Sequence, residues 1–393
     1  MYQRYRECIA GQPLPLAFVD QDLLDQNIRQ IAGRAAGKRI RVASKSIRCR
    51  AVLERVLAFG PPYAGVMCYS IGEAAWLASH GFDDLLVGYP GLGREAILAV
   101  CEQLRAGRLI TLMVDSPDQI APLAKLAEAA GVQIPLCLDL DLSVRFPGLH
   151  FGMLRSPITT PVQALALLAE VQHHAAWLRL DGLMGYEGQI AGVPDAVPGQ
   201  GVQNALIRLL KQRSIPQIAE RRAAVVAALA ERTPLRFVNG GGTGSLASTG
   251  AEACVTELTA GSGFFAPHLF DCYQEFRYQP AAGFALEVVR QPVAGVFTCF
   301  SGGYVASGRA GPAKLPRPYL PAGAMLTELE GAGEVQTPVR YTGPEAIQLG
   351  DPIFFRHAKA GELCERFDRL VVIATGAAIV EVPTYRGEGQ NWG

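Results

Sequence analysis

The chain has 393 residues, 49% of them hydrophobic and 18% charged, and its 36 Lys and Arg balance its 36 Asp and Glu. That length accommodates a large barrel plus a smaller module, or two medium domains, and the apolar fraction supplies a sizeable core. With a formal net charge of +0 there is no long-range field to draw nucleic acid or an anionic membrane, which sets polyanion binding aside.

The opening segment MYQRYRECIAGQPLPL has no long apolar core of the signal-peptide type, and no run of about 18 apolar residues follows it, so the expectation is a cytoplasmic protein without a membrane span. Cys8, Cys49, Cys68, Cys101, Cys137, Cys254, Cys272, Cys299 and Cys364 form no CxxC pair. They fit reduced, mostly buried thiols better than a disulfide framework or a zinc ribbon.

Residues 15–19 are extended and precede the first helix. Short apolar runs then alternate with amphipathic stretches. The runs predict strands at 40–43, 65–68, 84–88, 110–114, 134–140, 178–184, 235–239 and 253–258. The stretches at 72–80, 93–105, 117–130, 161–174 and 217–232 have apolar residues at helical spacing, for example Leu123, Leu126, Ala127 and Ala130. Eight such strands with helices between them predict a (β/α)8 barrel over 20–265. After about residue 265 the texture becomes Gly/Pro-punctuated and β-branched, with strands at 285–289, 294–300, 339–341, 352–356 and 370–373. This predicts a C-terminal antiparallel β domain over 266–393, joined by the N-terminal segment 1–19. Residues 191–203 read as an inserted loop: a solvated insertion, a lid or a partner contact.

Lys45 follows the first predicted barrel strand directly, where a strand-end residue points into the mouth of the barrel. It is either a solvated surface lysine or a Schiff-base former. A second signal is VNGGGTGS, residues 238–245, in which an apolar strand runs into Gly240, Gly241, Gly242, Thr243 and Gly244. Such a backbone can turn its N–H groups on an anion, and it falls in the strand 7 to 8 region where barrels bind phosphate. LTAGSGFF, with Gly261, Ser262 and Gly263, would complete the cup. A strand-end lysine facing a phosphate cradle is the requirement of a pyridoxal phosphate (PLP) enzyme.

With these residues in place the chain resembles the fold-type III PLP enzymes, the alanine racemase-like barrel group, and within it the D-threonine aldolase and D-serine dehydratase branch. PLAFVDQDLLDQNI resembles the entry segment of the group, ASKSIRC its Schiff-base lysine motif and NGGGTGS its phosphate loop. ELTAGSGFFAPHLFD resembles the segment ending the barrel, and GDPIFFRHAKAGELCERFDRLVVI the closing β-domain segment. The resemblance implies that Lys45 carries the cofactor and acts as the base at Cα. It implies that Arg145 approaches the cofactor's phenolic oxygen, the alternative for Arg145 being a salt bridge to Asp139 or Asp141. Tyr186 packs against the pyridine ring or is a wall residue. Gly241, Gly242, Thr243, Ser262 and Gly263 hold the phosphate.

The resemblance also implies a catalytic histidine at His357, holding a divalent metal (zinc, manganese or magnesium) with an acidic or thiol ligand two residues on. Here that position is Lys359, an ammonium that donates and does not ligate. Glu362 and Cys364 are nearby substitutes, and the other reading of His357 is a hydrogen bond to substrate or backbone. His80, His150, His173, His174 and His268 lack metal-ligand spacing and read as surface or helix-end residues. The implied function is a lyase acting on a small-molecule β-hydroxy D-amino acid, by retro-aldol cleavage or dehydration, as a homodimer. A racemase is the alternative and needs a second base, which Tyr273, Tyr278, Tyr304, Tyr319 or Tyr341 of a partner chain would supply. A PLP-carrier protein, a single barrel with no β domain, is a third reading.

Overall fold

The computed structural model describes residues 1–392. Strand β1 (Leu16–Asp20) opens the chain after a short helix, Tyr2–Cys8. Eight parallel strands then close a barrel: β2 (Arg39–Ala43), β3 (Tyr63–Cys68), β4 (Leu85–Val87), β5 (Ile110–Val114), β6 (Ile134–Leu140), β9 (Leu178–Gly185), β10 (Phe237–Gly240) and β11 (Glu257–Ala260). Between β6 and β9 a hairpin leaves the barrel, β7 (Val144–Phe146) against β8 (Leu149–Phe151). β11 pairs with β2 to close the ring.

Helices cover the outside because their apolar faces have nowhere else to go. Gln21–Arg34 is capped by Asp20, whose carboxylate accepts the Leu23 N–H, and Ile71–Ser79 is capped by Ser70 in the same way. Helix Gly201–Ala230 is much longer than the predicted 217–232. Pro216 suggests a start because proline favours the first helical turn. In the structure it sits inside the helix, so residues 201–203, expected in the loop, are already helical.

The barrel interior is stratified. At the N-terminal ends of the strands, Arg41 is fully buried between Glu257 at 2.7 Å and Asp84 at 3.1 Å, while Arg236 bridges Asp84 and Asp181. Above this lies an apolar plug of Leu86, Met113, Cys137, Met184 and Phe237. A Cβ at Gly182 would overlap the Phe237 ring, so only glycine admits that plug. The barrel is therefore filled from one end and opens at the strands' C-terminal ends, where its loops build a cavity.

The remaining strands form one mixed sheet: β12 (Ala282–Val293), β13 (Val296–Phe300), β14 (Arg317–Leu320), β15 (Met325–Leu326), β16 (Gln336–Arg340), β17 (Pro352–Arg356), β18 (Arg369–Ile373) and β19 (Val380–Pro383). β1 enters it, antiparallel to β12 and parallel to β18. That parallel pair departs from a purely antiparallel sheet. It arises because β1 arrives from the start of the chain rather than through a hairpin. Tyr5, Phe18 and Phe354 pack edge to face beneath it. Among the described residues no helix is long and apolar enough to cross a membrane.

Candidate active site

Lys45 sits in a single 3₁₀ turn, Ser44–Ser46, set directly on the end of β2. The Ser44 hydroxyl donates to the Met67 carbonyl at 2.9 Å, tying this turn to the end of β3. The side chain reaches the barrel mouth, and Nζ donates to the Tyr89 hydroxyl at 2.8 Å. Tyr89 follows β4 and occupies the same strand-end level. The Arg155 guanidinium lies 5.6 Å from the ring centres of both Tyr89 and Tyr186. Burial would raise the Tyr89 hydroxyl, but the charges and hydrogen bonds of Lys45 and Arg155 outweigh it and hold the phenol below its ordinary range. Burial pushes the Tyr186 phenol up to about 12.

These side chains wall a cavity of about 820 Å³ including its open mouth, which also touches Asn239, Gly241, Gly242, Thr243, Thr259 and Ser262. Its described lining includes two cations, Lys45 and Arg155, and no carboxylate. The glycine loop is held from behind. The Gly242 N–H donates to Ser245 Oγ at 3.1 Å, and that hydroxyl donates to Glu187 at 2.7 Å. Glu187 is buried against Arg222 at 2.6 Å, and Arg222 also pairs with Glu252. Gly241 has a φ of +86°, which favours glycine, and a Cβ on Gly242 would stand 2.9 Å from the Ala191 Cβ. The Gly263 N–H donates to Thr243 Oγ1 at 3.1 Å, linking the loop to the end of β11.

The structure thus brings together Lys45, Tyr186, Gly241, Gly242, Thr243 and Ser262. Gly263 lies just behind them. It does not bring Arg145 to the cavity: that residue is on the exposed β7–β8 hairpin opposite His150, and it pairs with neither Asp139 nor Asp141. The chain makes a hairpin before re-entering the mouth, so the arginine that arrives is Arg155.

His357 is not part of the Lys45 cavity either. It is buried in an adjoining small cavity lined by Phe284, Tyr304, Lys359, Glu362 and Phe367. Among the described residues neither ring nitrogen finds a hydrogen-bond partner. Burial, reinforced by the charges of Arg356 and His268, lowers its pKa to about 3, so the imidazole is neutral. His268 is a correction to the surface reading: it is buried where the barrel meets the sheet, and Nε2 lies 2.8 Å from the Leu315 carbonyl.

The cofactor and the metal fare differently when tested against these donors. A cavity whose described lining combines a lysine amine, hydroxyls and a glycine loop, with cations and without carboxylates, suits an aldehyde bearing a phosphate. A divalent metal at His357 does not fit. No group of three or more His, Cys, Asp or Glu side chains that would hold an ion occurs among the described residues. Cys364 is buried, and its thiol, raised by desolvation, stays protonated. Glu362 is engaged by Ser307.

A larger groove of about 1250 Å³ leads from Lys45 outward past Tyr273, Ser307, Lys314, Lys359 and Glu362. Burial and the neighbouring Lys359 charge hold the Lys314 ammonium below its ordinary pKa. Sequence reasoning missed Tyr89, Arg155 and Lys314. Tyr89 carries the same strand-end signal as Lys45. The other two arrive from loops whose direction no local pattern encodes.

The five tyrosines considered as a second base are engaged within their own chain. Tyr273 donates to the Ala191 carbonyl, Tyr278 accepts from Arg34 and Tyr304 lies 2.9 Å from the Ser301 hydroxyl. Tyr319 bonds the Met1 sulfur, and Tyr341 accepts the Glu345 N–H.

The chain matches the family model described as alanine racemase, N-terminal domain, over residues 19–252. It is 26% identical over 253 residues to the 3-hydroxy-D-aspartate aldolase of Paracoccus denitrificans (strain Pd 1222); the match covers 64% of this chain and spans 60% of the length of that curated relative. Its fold superposes on the crystal structure of D-threonine aldolase from Filomicrobium marinum with a TM-score of 0.80 and 21% identity, over 95% of this chain and 96% of that one. D-threo-3-hydroxyaspartate dehydratase from Delftia sp. HT23 gives 0.72 and 18%, over 95% and 98%.

Proposed function

We propose a reading that proceeds from one established point, that the chain belongs to the alanine racemase N-terminal domain family. It is a PLP-dependent lyase acting on a D-configured β-hydroxy amino acid, by retro-aldol cleavage or by loss of water. The observation that carries this reading is that Lys45, Thr243 and the glycine loop line one cavity whose described lining holds no carboxylate. The names of the matched aldolases and dehydratase support the substrate class.

PLP, when bound, supplies an electron sink for negative charge developing at the substrate's Cα. Lys45 is placed to move a proton at that carbon. In dehydration Lys45 takes the Cα proton and passes it to the departing β-hydroxyl, which leaves as water; in cleavage it takes the β-hydroxyl proton as the Cα–Cβ bond breaks to give the carbonyl fragment and delivers that proton to Cα. Tyr89 holds the amine in place, and Arg155 supplies a fixed positive charge beside both tyrosines. Thr243 and Ser262 are the hydroxyls offered to the phosphate, and Tyr186 is the wall against which the ring packs. The buried Glu187–Arg222 pair keeps the glycine loop in register.

The racemase reading is disfavoured by the internal commitments of the five tyrosines, and the carrier reading by the large sheet built on the barrel. Incubating holoenzyme with D- and L-threonine, D- and L-serine, and their 3-hydroxyaspartate and phenylserine analogues tests the assignment. Cleavage yields glycine plus an aldehyde, or glyoxylate from 3-hydroxyaspartate, and dehydration yields a keto acid plus ammonia. Interconversion of enantiomers with neither product set would overturn the lyase and favour the racemase.

A further inference from the structure

Two residues beyond His357, where the resemblance implies a metal ligand, Lys359 points its ammonium into the groove that leads to Lys45. The group is built in place. Nζ donates to Ser307 Oγ at 2.8 Å and lies 4.0 Å from Glu362 Oε1. The Glu362 carboxylate in turn accepts the Ser307 N–H at 3.0 and 3.2 Å, and the Ser307 hydroxyl also donates to it. The carboxylate that could have held a cation is thereby spent on orienting Ser307 and the lysine. Lys314 approaches the same spot: a Cβ built on Gly308 would stand 3.7 Å from Lys314 Nζ and 3.9 Å from Lys359 Nζ. Two ammonium groups share one carboxylate, so the spot is cationic without any added ion.

We propose that the Lys359 ammonium, backed by Lys314, is the fixed positive charge at this position, and that the chain neither binds nor needs a divalent metal there. The inference rests on the lyase reading for the identity of what the ammonium meets, the oxygen on the substrate's β-carbon. An ammonium has three donors and no acceptor capacity. It can donate to that oxygen as negative charge develops on it, and it repels a divalent ion brought to the neighbouring His357. Gly361, two residues on, packs on the Lys45 turn, so Lys359 is carried on the segment that also touches the Lys45 backbone.

The test has a binding arm that is independent of turnover. Mn²⁺ and Zn²⁺ are titrated calorimetrically into PLP-loaded protein, whose metal content is also measured by mass spectrometry. The parent should hold far less than one metal per chain and give no binding heat, whereas Lys359→Asp, which places a carboxylate beside His357, should bind Mn²⁺. Stoichiometric metal or saturable binding in the parent overturns the proposal, as does a Lys359→Asp variant as silent as the parent. In the kinetic arm, chelator should change parent turnover by less than about twofold. Lys359→Met should lower kcat tenfold or more with the cofactor spectrum and melting temperature unmoved, and Lys359→Arg should recover part of the loss. Full activity in Lys359→Met overturns the role of the ammonium. Failure of the parent to turn over any β-hydroxy amino acid counts against the lyase reading instead, and the calorimetry still decides the metal.

Discussion

Gly361 of the sheet domain lies directly on the main-chain carbonyl of Lys45, so closely that a Cβ at this position would overlap the oxygen. The same carbonyl accepts from Arg48 Nε at 3.2 Å, and Arg48 pairs with Glu365 on the segment that carries Gly361. The turn presenting the amine is thus clamped from both sides of the domain junction, which links the seating of the sheet domain to the geometry of Lys45.

Gly361→Ala should therefore cost about 1–3 kcal/mol through overpacking and weaken cofactor loading. Melting temperature and the visible absorption of bound cofactor check this against Gly201→Ala, whose new methyl meets nothing within 4 Å among the described residues. Equal melting of the two variants would show that the clamp does not hold the turn.

Tyr89→Phe removes the hydroxyl that receives the Lys45 proton donor while keeping the ring that faces Arg155. A hydrogen bond to a charged group is worth roughly 1.5–3 kcal/mol. Turnover should fall about tenfold or more, the pH profile should shift because the lowered phenol is gone, and cofactor content should stay near the parent's. An unmoved profile with parental turnover would remove Tyr89 from the account.

Arg155→Met and Arg145→Met separate the arginine expected from the sequence from the one found in the cavity. The first should lower cofactor affinity or turnover roughly tenfold, because it deletes one of the two cations lining the cavity. The second, on an exposed hairpin, should change neither. The reverse pattern in steady-state kinetics would restore Arg145.

Glu73 lies fully buried near the Lys45 turn, accepting from the Tyr69 N–H at 2.7 Å and the Tyr385 hydroxyl at 3.0 Å. Desolvation raises its pKa from 4.5 to about 7 despite these bonds. The folded state then keeps a proton that the unfolded state gives up, so stability falls as pH rises from about 4.5 through 7, by an order of 3 kcal/mol. Glu73→Gln should lack this fall. Melting curves from pH 5 to 8 should show the parent losing ground to the variant, and parallel curves would refute the assignment.

What was legible in the sequence followed short-range physics. β-branched and apolar runs marked each barrel strand to within a few residues, and the strand-end rule placed Lys45 and the glycine loop at one mouth. Two kinds of feature were not legible. The first is where a chain re-enters after an excursion, which exchanged Arg145 for Arg155 and brought Lys314 in from a loop. The second is long-range pairing: residues 15–19 read as a strand of the β domain, as β1 proves to be, but its place between β12 and β18 had no local sign, and the Glu187–Arg222–Glu252 support beneath the phosphate loop joins segments with no local signature. His357 was singled out by its motif, yet its burial, which decides what it can do, is set by packing from several elements.

Borohydride reduction of the holoprotein followed by peptide mapping reads out which lysine carries the cofactor. With Lys45 as the carrier, the expected result is one pyridoxyl group per chain, on the peptide containing Lys45, and its loss together with the visible absorption in Lys45→Ala. A pyridoxyl group on Lys38, Lys314, Lys359 or any other lysine, or a Lys45→Ala protein that still loads and reduces PLP stoichiometrically, would contradict it.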